Sequence, residues 1–591
     1  MLEVMALSFA LTAGVLQADD ADDPDSVAAP APPPVAPIAD NDDGLDDVES
    51  HGTSGPSVLL KYQLAQLQRA TVGGGATKVS VETNAPTPSF GLFPVRVFID
   101  NTGGPRQTIR LAFSGNVTGS FHTVTREVEV NAGERRVVTL PAPSEMRYGT
   151  MSASGPGITE GGETSVYFNS TYAPHRVVLT LSGPERFQSF IGRPPSYSRA
   201  DVFVMTIPPA EAPSELAAYV GYDAVIVPDA TTLESLDEGQ RRALEAYAVT
   251  GGHLVVKGPL RAGGLFPLLV GEPKKTQPYG LGRLAVVGDT PDDDTLALRT
   301  TPAVKPQGPV PEYERRYGGA KLEPLLPQAT APLGRFLLII TAFTLAIGPG
   351  SIWVARRRGP AALLVTIPGT AAVTCVAIIA YSLIADGFTV HGAMFSFTRL
   401  DSKQHRAVTA GVTAYYANLA PGRATFSAST VPIAPWEDNR EKFVADMTWR
   451  DGLTLGSDFV PSRVYREWGF LSVEPTRARL VLKASGDRWT VQNALGQRVK
   501  SVAVRIDGET WEARDVRDGG EAMLARGSDQ QYHRHDAASR FGPAVAGTIV
   551  HDELADGQFL ARLDGEGFLP TGGVRMSLHQ SEHWVRGEVE R

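Results

Sequence analysis

The chain has 591 residues, of which 42% are hydrophobic and 20% charged, an ordinary balance for folded material. That length exceeds a single core and calls for several domains. The formal charge of −10 misleads, because residues 19–50 hold eleven acids and no Lys or Arg, so the rest of the chain is close to neutral. No basic field exists to hold a nucleic acid, and none is expected as a partner. The single cysteine, Cys375, excludes an intramolecular disulfide and a thiolate zinc site.

Residues 1–18 contain an apolar run that ends at Gln17-Ala18, as in a secretory signal peptide or an N-terminal anchor. Residues 19–55 are rich in Asp, Pro and Ala and carry the run Pro30-Ala31-Pro32-Pro33-Pro34. Such a composition buries too little apolar area to offset chain entropy, so an acidic, disordered linker is expected.

From 56 to 172 the pattern is that of strands. Val95-Arg96-Val97-Phe98-Ile99-Asp100 alternates with period two, Asn101-Thr102-Gly103-Gly104 marks a turn, and Ile109–Phe113 alternates again. These segments resemble immunoglobulin-like modules, which implies a β-sandwich.

Between 175 and 290 the apolar runs shorten. Val177–Leu181, Val202–Thr206, Ala224–Val227, Leu254–Lys257 and Leu284–Val287 read as buried parallel strands. Ser235 and Glu238 predict a capping box, and Gly251-Gly252 a helix end. Tyr222–Ala230, Leu236–Tyr247 and Gly251–Val256 together resemble the class I glutamine amidotransferase-like fold, here called flavodoxin/amidotransferase-like. That resemblance implies a Cys nucleophile on a strand-to-helix elbow. Gly258-Pro259-Leu260 stands there instead, so no catalytic residue is expected. Asp223, Asp229 and His253 sit near strand ends, where α/β sheets bind ligands, and form the candidate ligand cleft.

A Pro-rich linker, 291–332, leads to two apolar runs, 336–355 and 361–385, each long enough to read as a membrane-spanning helix. Arg356, Arg357 and Arg358 lie in the connecting loop, 356–360, and predict its cytoplasmic placement. Residues 386–591 read as β-rich and extracytoplasmic. Ile347–Ser351, the Arg tract and Thr366–Pro368 resemble a family of uncharacterised bacterial two-span membrane proteins. His533, His535 and Asp536, and separately His579, Glu582 and His583, are candidate ligand groups with no convergent spacing, so no metal and no cofactor is expected.

The fold class expected is therefore multidomain: an immunoglobulin-like sandwich, an α/β domain, a two-helix transmembrane hairpin and a mostly-β C-terminal region. The function expected is a non-catalytic scaffold or accessory protein of the bacterial cell envelope. It would sit in the inner membrane and present binding domains to protein partners. The alternatives are a ligand-binding or sensor subunit using the α/β cleft, and a hydrolase with rearranged catalytic residues.

Overall fold

Strand Leu92–Asp100 turns Val95, Val97 and Ile99 into a core, and strand Gln107–Val117 does the same with Ile109, Leu111 and Phe113. Period-two alternation places these side chains on one face of each sheet. The computed structural model describes residues 62–88, 91–117, 120–168, 176–183, 202–258, 260, 266–268, 276–287, 325–326, 333–381, 389–433, 445–486, 488–527 and 554–591. All of them fall in the unit Leu60–Arg591. The expected signal segment, the acidic linker and the His533–Asp536 cluster lie outside the described residues.

Strand Leu92–Asp100 belongs to a five-stranded antiparallel sheet, and strand Gln107–Val117 to a seven-stranded one. The two share a core in which Phe168 meets Phe93 and Phe113 edge-on. The larger sheet is not built from residues 56–172 alone. Its strand Ser120–Val130 pairs in parallel with Met447–Trp449, and the sheet continues through Gly452–Leu455 and Ala424–Ser427. Trp449 closes the joint by donating its indole N–H to the Pro141 carbonyl at 3.0 Å. A self-contained immunoglobulin-like unit is thus replaced by a sandwich completed from a distant part of the chain.

A second seven-stranded sheet runs in the order Tyr62–Leu64, Val202–Thr206, Arg176–Thr180, Ala224–Val227, His253–Lys257, Gly282–Val287, Thr276–Tyr279. Its pairs are parallel except the last. Val178, Val204, Ile226 and Val255 bury one face, and Leu179, Val225, Leu254 and Leu284 the other. The cap predicted at Ser235 lies elsewhere. Ser235 ends the short helix Ala230–Ser235, and Asp237 with Gln240 forms the capping box of helix Glu238–Val249. Gly251 follows at φ +123°, a conformation that favours glycine.

The third large sheet has nine strands, with Arg406–Ala417, Val390–Asp401 and Met576–Glu588 at its centre. A separate core fills the space between its far end and the three-stranded sheet that contains Leu480, Leu482 and Val491. An ion-pair latch ties this sheet to the α/β unit. Both Arg406 Nη atoms donate to the Glu245 carboxylate, at 2.5 and 2.7 Å, and Nε donates to Asp401 at 3.1 Å. The Tyr279 hydroxyl donates to the same Glu245 at 2.7 Å.

The transmembrane hairpin is overturned. Among the described residues, no helix is long and apolar enough to cross a membrane. The first apolar run forms helix Leu333–Leu345, whose 13 residues reach about 20 Å. It passes through a π turn, Ala346–Gly350, around Pro349 and into helix Ser351–Arg358, which ends in three arginines. The described part of the second run forms helix Leu363–Tyr381, with Pro368 inside. The two-span membrane partnership and the inner-membrane location fall with it. Arg357 lays its guanidinium 4.2 Å over the Trp353 ring. The described chain is mostly β, which corrects the fold class as a whole.

The Arg406 latch makes a direct prediction. Arg406→Met strands the Glu245 and Asp401 carboxylates in a buried setting and should destabilise by about 3–5 kcal/mol. Urea denaturation reads this, and a loss below about 1 kcal/mol would show that the latch carries no weight.

Candidate functional site

The outer face of the five-stranded sheet does not meet water everywhere. Register sets its cross-strand rows: Lys78, Asp100 and Arg135 in one, Ser80, Phe98 and Val137 in the next, then Arg69 and Glu82 beside Arg96. The segment from the turn Pro209–Glu211 to Glu215, with Asp237 and Gln240, stands opposite and forms a cleft of about 920 Å³.

Ion pairs tie its two walls together. Arg96 is 3% exposed and donates to Glu82 at 2.8 Å, and also to Glu211 across the cleft. Burial pushes the Glu82 carboxyl up, with Arg96 pulling against that shift. Arg126 reaches from strand Ser120–Val130 to the Thr139 carbonyl at 2.7 Å and to Glu215 at 2.9 Å. Gln240 donates to the Ala212 carbonyl at 2.9 Å. The acids of the far wall are thereby engaged.

Arg69 and Lys78 are exposed lining residues. The Arg69 guanidinium lies 3.6 Å over the Phe98 ring, and Lys78 is exposed with no ion pair among the described residues. Arg135 pairs with Asp100 at 3.0 Å, and the Thr102 hydroxyl and amide hold the Asp100 carboxyl low. An Arg fork stacked on an aromatic ring beside a free ammonium suits planar or anionic groups. The lining holds no His and no Cys.

None of the three residues predicted for a ligand cleft lines this space. Asp223 precedes strand Ala224–Val227 and accepts the Val177 N–H at 2.8 Å. Asp229 follows the same strand and caps helix Ala230–Ser235, accepting the Thr232 N–H at 2.5 Å. His253 opens its strand opposite Ala224 and is 4% exposed, with neither ring nitrogen hydrogen-bonded. Asp223 and His253 thus share the amino end of the sheet, while Asp229 lies at the carboxyl end. His579, Glu582 and His583 also diverge. His579 meets His391 at 2.7 Å, Glu582 accepts from the Trp584 indole, and buried His583 bonds Ser396 at 2.6 Å. The cleft residues Arg69, Phe98, Lys78 and Arg126 escape sequence reading because each looks like an ordinary outward position of an alternating strand. The one signal is Arg96 facing Glu82 beside an aromatic.

No protein-family description and no curated protein matches the sequence. Among solved structures, a Bordetella pertussis protein studied as a structural-genomics target aligns at 16% identity, covering 18% of this chain and 94% of that one, with a TM-score of 0.11. A Paenibacillus cycloisomaltooligosaccharide glucanotransferase aligns at 11% identity over 33% of this chain and 28% of that one, with a TM-score of 0.14. The yeast delta-COP-I mu-homology domain, complexed with a Dsl1 peptide, aligns at 9% identity over 34% and 96%, again with a TM-score of 0.14. These scores carry no inference. The expected kinship with class I glutamine amidotransferases is corrected as well: the chain is mostly β, and among the described residues of 175–290 only Ala230–Ser235 and Glu238–Val249 are α-helical.

Buried His253 has a pH signature. Burial, with Arg283 nearby, pushes its pKa down to about 4, and burial does the same to His583. The unfolded chain takes up these protons near pH 6.5, the folded chain only near 4. Stability should therefore be complete above about 6.5 and fall as pH drops toward 4, by up to about 3 kcal/mol for each histidine. Urea denaturation at pH 7.5 and 5 measures this, and His253→Gln should show a smaller loss. An unchanged slope would mean that His253 is not held neutral.

Proposed function

We propose that the chain is a non-catalytic binding scaffold whose partner or ligand sits in the cleft between the five-stranded sheet and the α/β unit. The observation that supports this most is the cleft's division of labour. Its two walls are tied by Arg96 on Glu82 and Glu211 and by Arg126 on Glu215, while Arg69, Phe98 and Lys78 line it and remain open to an occupant.

Of the acids that line it, Asp100, Glu129, Glu211 and Glu215 are each engaged by an arginine, which supports recognition rather than turnover as its use. The stacked guanidinium and the ammonium favour an occupant that brings carboxylate or phosphate groups. Asp100 and the far-wall acids make a strongly polyanionic occupant less suitable than one of mixed charge.

Crosslinked affinity purification of the full chain, compared with an Arg69→Glu/Lys78→Glu variant, tests the reading. A reproducible partner set that drops at least about tenfold in the variant, with folding unchanged, is the expected result. Partners captured equally by both proteins would move binding away from the cleft. A well-folded wild type that captures nothing, and binds no ligand in a shift assay, would end the scaffold reading.

A further inference from the structure

Strand Ser120–Val130 brings His122 to the place where the distant strand Met447–Trp449 begins. Asp446 immediately precedes that strand, and Asp458 lies just past strand Gly452–Leu455. One ligand-type atom from each of His122, Asp446 and Asp458 lies within 4.8 Å of the others. His122 Nδ1 is 3.3 Å from Asp458 Oδ2 and 3.9 Å from Asp446 Oδ1.

Two carboxylates this close repel each other unless something positive lies between them. Among the described residues, neither forms an ion pair with Lys or Arg. Both are held in place by backbone donors. Asp446 Oδ1 accepts the Thr123 N–H at 2.8 Å, and the Asp458 carboxylate accepts the Asp446 N–H at 3.2 Å. The Asp446 carbonyl accepts the Gly456 N–H at 2.8 Å, and a Cβ on Gly456 would meet Asp458 Oδ1 at 2.7 Å. Backbone donors that orient a carboxylate while leaving lone pairs free are what a metal's outer shell supplies.

We infer that His122, Asp446 and Asp458 form a binding site for a first-row divalent cation, bridging the N-terminal sandwich to the strands that complete it. One imidazole nitrogen with two carboxylate oxygens suits Zn²⁺ or Mn²⁺ better than Ca²⁺, which takes oxygen ligands. Ligands about 2.0–2.2 Å from a tetrahedral ion stand roughly 3.3–3.6 Å apart, so the His122–Asp458 separation already fits and Asp446 needs a small side-chain rotation. Three protein ligands leave a position for water. The side chains of Asp446 and Asp458 are 59% and 39% exposed, so an ion has a path in.

The test is calorimetric titration of the chelator-treated full chain, prepared without a polyhistidine tag, with Zn²⁺ and with Mn²⁺. The expected result is one site per chain, a thermal midpoint that rises with zinc, and affinity lowered by more than about tenfold in His122→Ala and in Asp458→Asn. Co²⁺ bound to the unmutated chain should give visible absorption bands of a four- or five-coordinate ion, a readout that does not depend on the variants folding. Absence of heat and of any midpoint shift would overturn the site. So would binding that is equally tight in both variants, because the ion would then lie elsewhere.

Discussion

A strand at a sheet edge must find a partner for its backbone groups, and in this chain one such edge organises the molecule. Strand Ser120–Val130 is satisfied on one side by Gln107–Val117 and on the other by Met447–Trp449, more than three hundred residues later. Both sites considered above depend on that pairing. Arg126 lies in register with Trp449 and turns inward to the Thr139 carbonyl and Glu215 at the cleft. His122, two residues before the first paired position, faces Asp446 and Asp458. A fault in this pairing would open the cleft and scatter the His122 cluster together.

That arrangement also explains what the sequence shows and what it hides. Local pattern is legible: Val95, Val97 and Ile99 announce their strand because a half-buried strand needs alternation. The helix that ends at Gly251-Gly252 is legible too, but the residue that caps its start is not. Ser235 uses its hydroxyl on the Thr232 carbonyl at 2.7 Å, Leu236 goes extended at ψ 145°, and capping passes to Asp237. Composition cannot decide between two capping residues two positions apart whose side chains have alternative uses. The apolar runs around 336–385 mislead for a related reason. Hydropathy counts residues and is blind to local helix geometry, and Pro349 places a π turn inside the first run.

The sites are hidden more deeply, because they are assembled from segments with nothing in common along the chain. Asp446 and Asp458 look like acids of a surface turn, and His122 like one polar residue of an alternating strand. Only the parallel pairing with Met447–Trp449 makes them neighbours. Asp223, Asp229 and His253 show the reverse. They stand out because they flank strands, yet the two aspartates serve the backbone, through Val177 and Thr232, and His253 is packed away with no polar partner.

Charge is what joins the parts where apolar packing alone would leave their register loose. The α/β unit is tied to the sandwich by Arg96 on Glu82 and Glu211, and to the nine-stranded sheet by Arg406 on Glu245 and Asp401. Buried ion pairs add little stability over a well-packed apolar alternative, since desolvation consumes most of the Coulomb gain. Their use is discrimination: a bidentate guanidinium on a carboxylate tolerates far less sliding than a leucine in a groove. With a carboxylate of the same unit held at each joint, Glu211 on one side and Glu245 on the other, the unit has little freedom to shift against either sheet. The width of the cleft then follows from these two contacts, and the exposed pair Arg69 and Lys78 is held at a defined distance from the opposing wall.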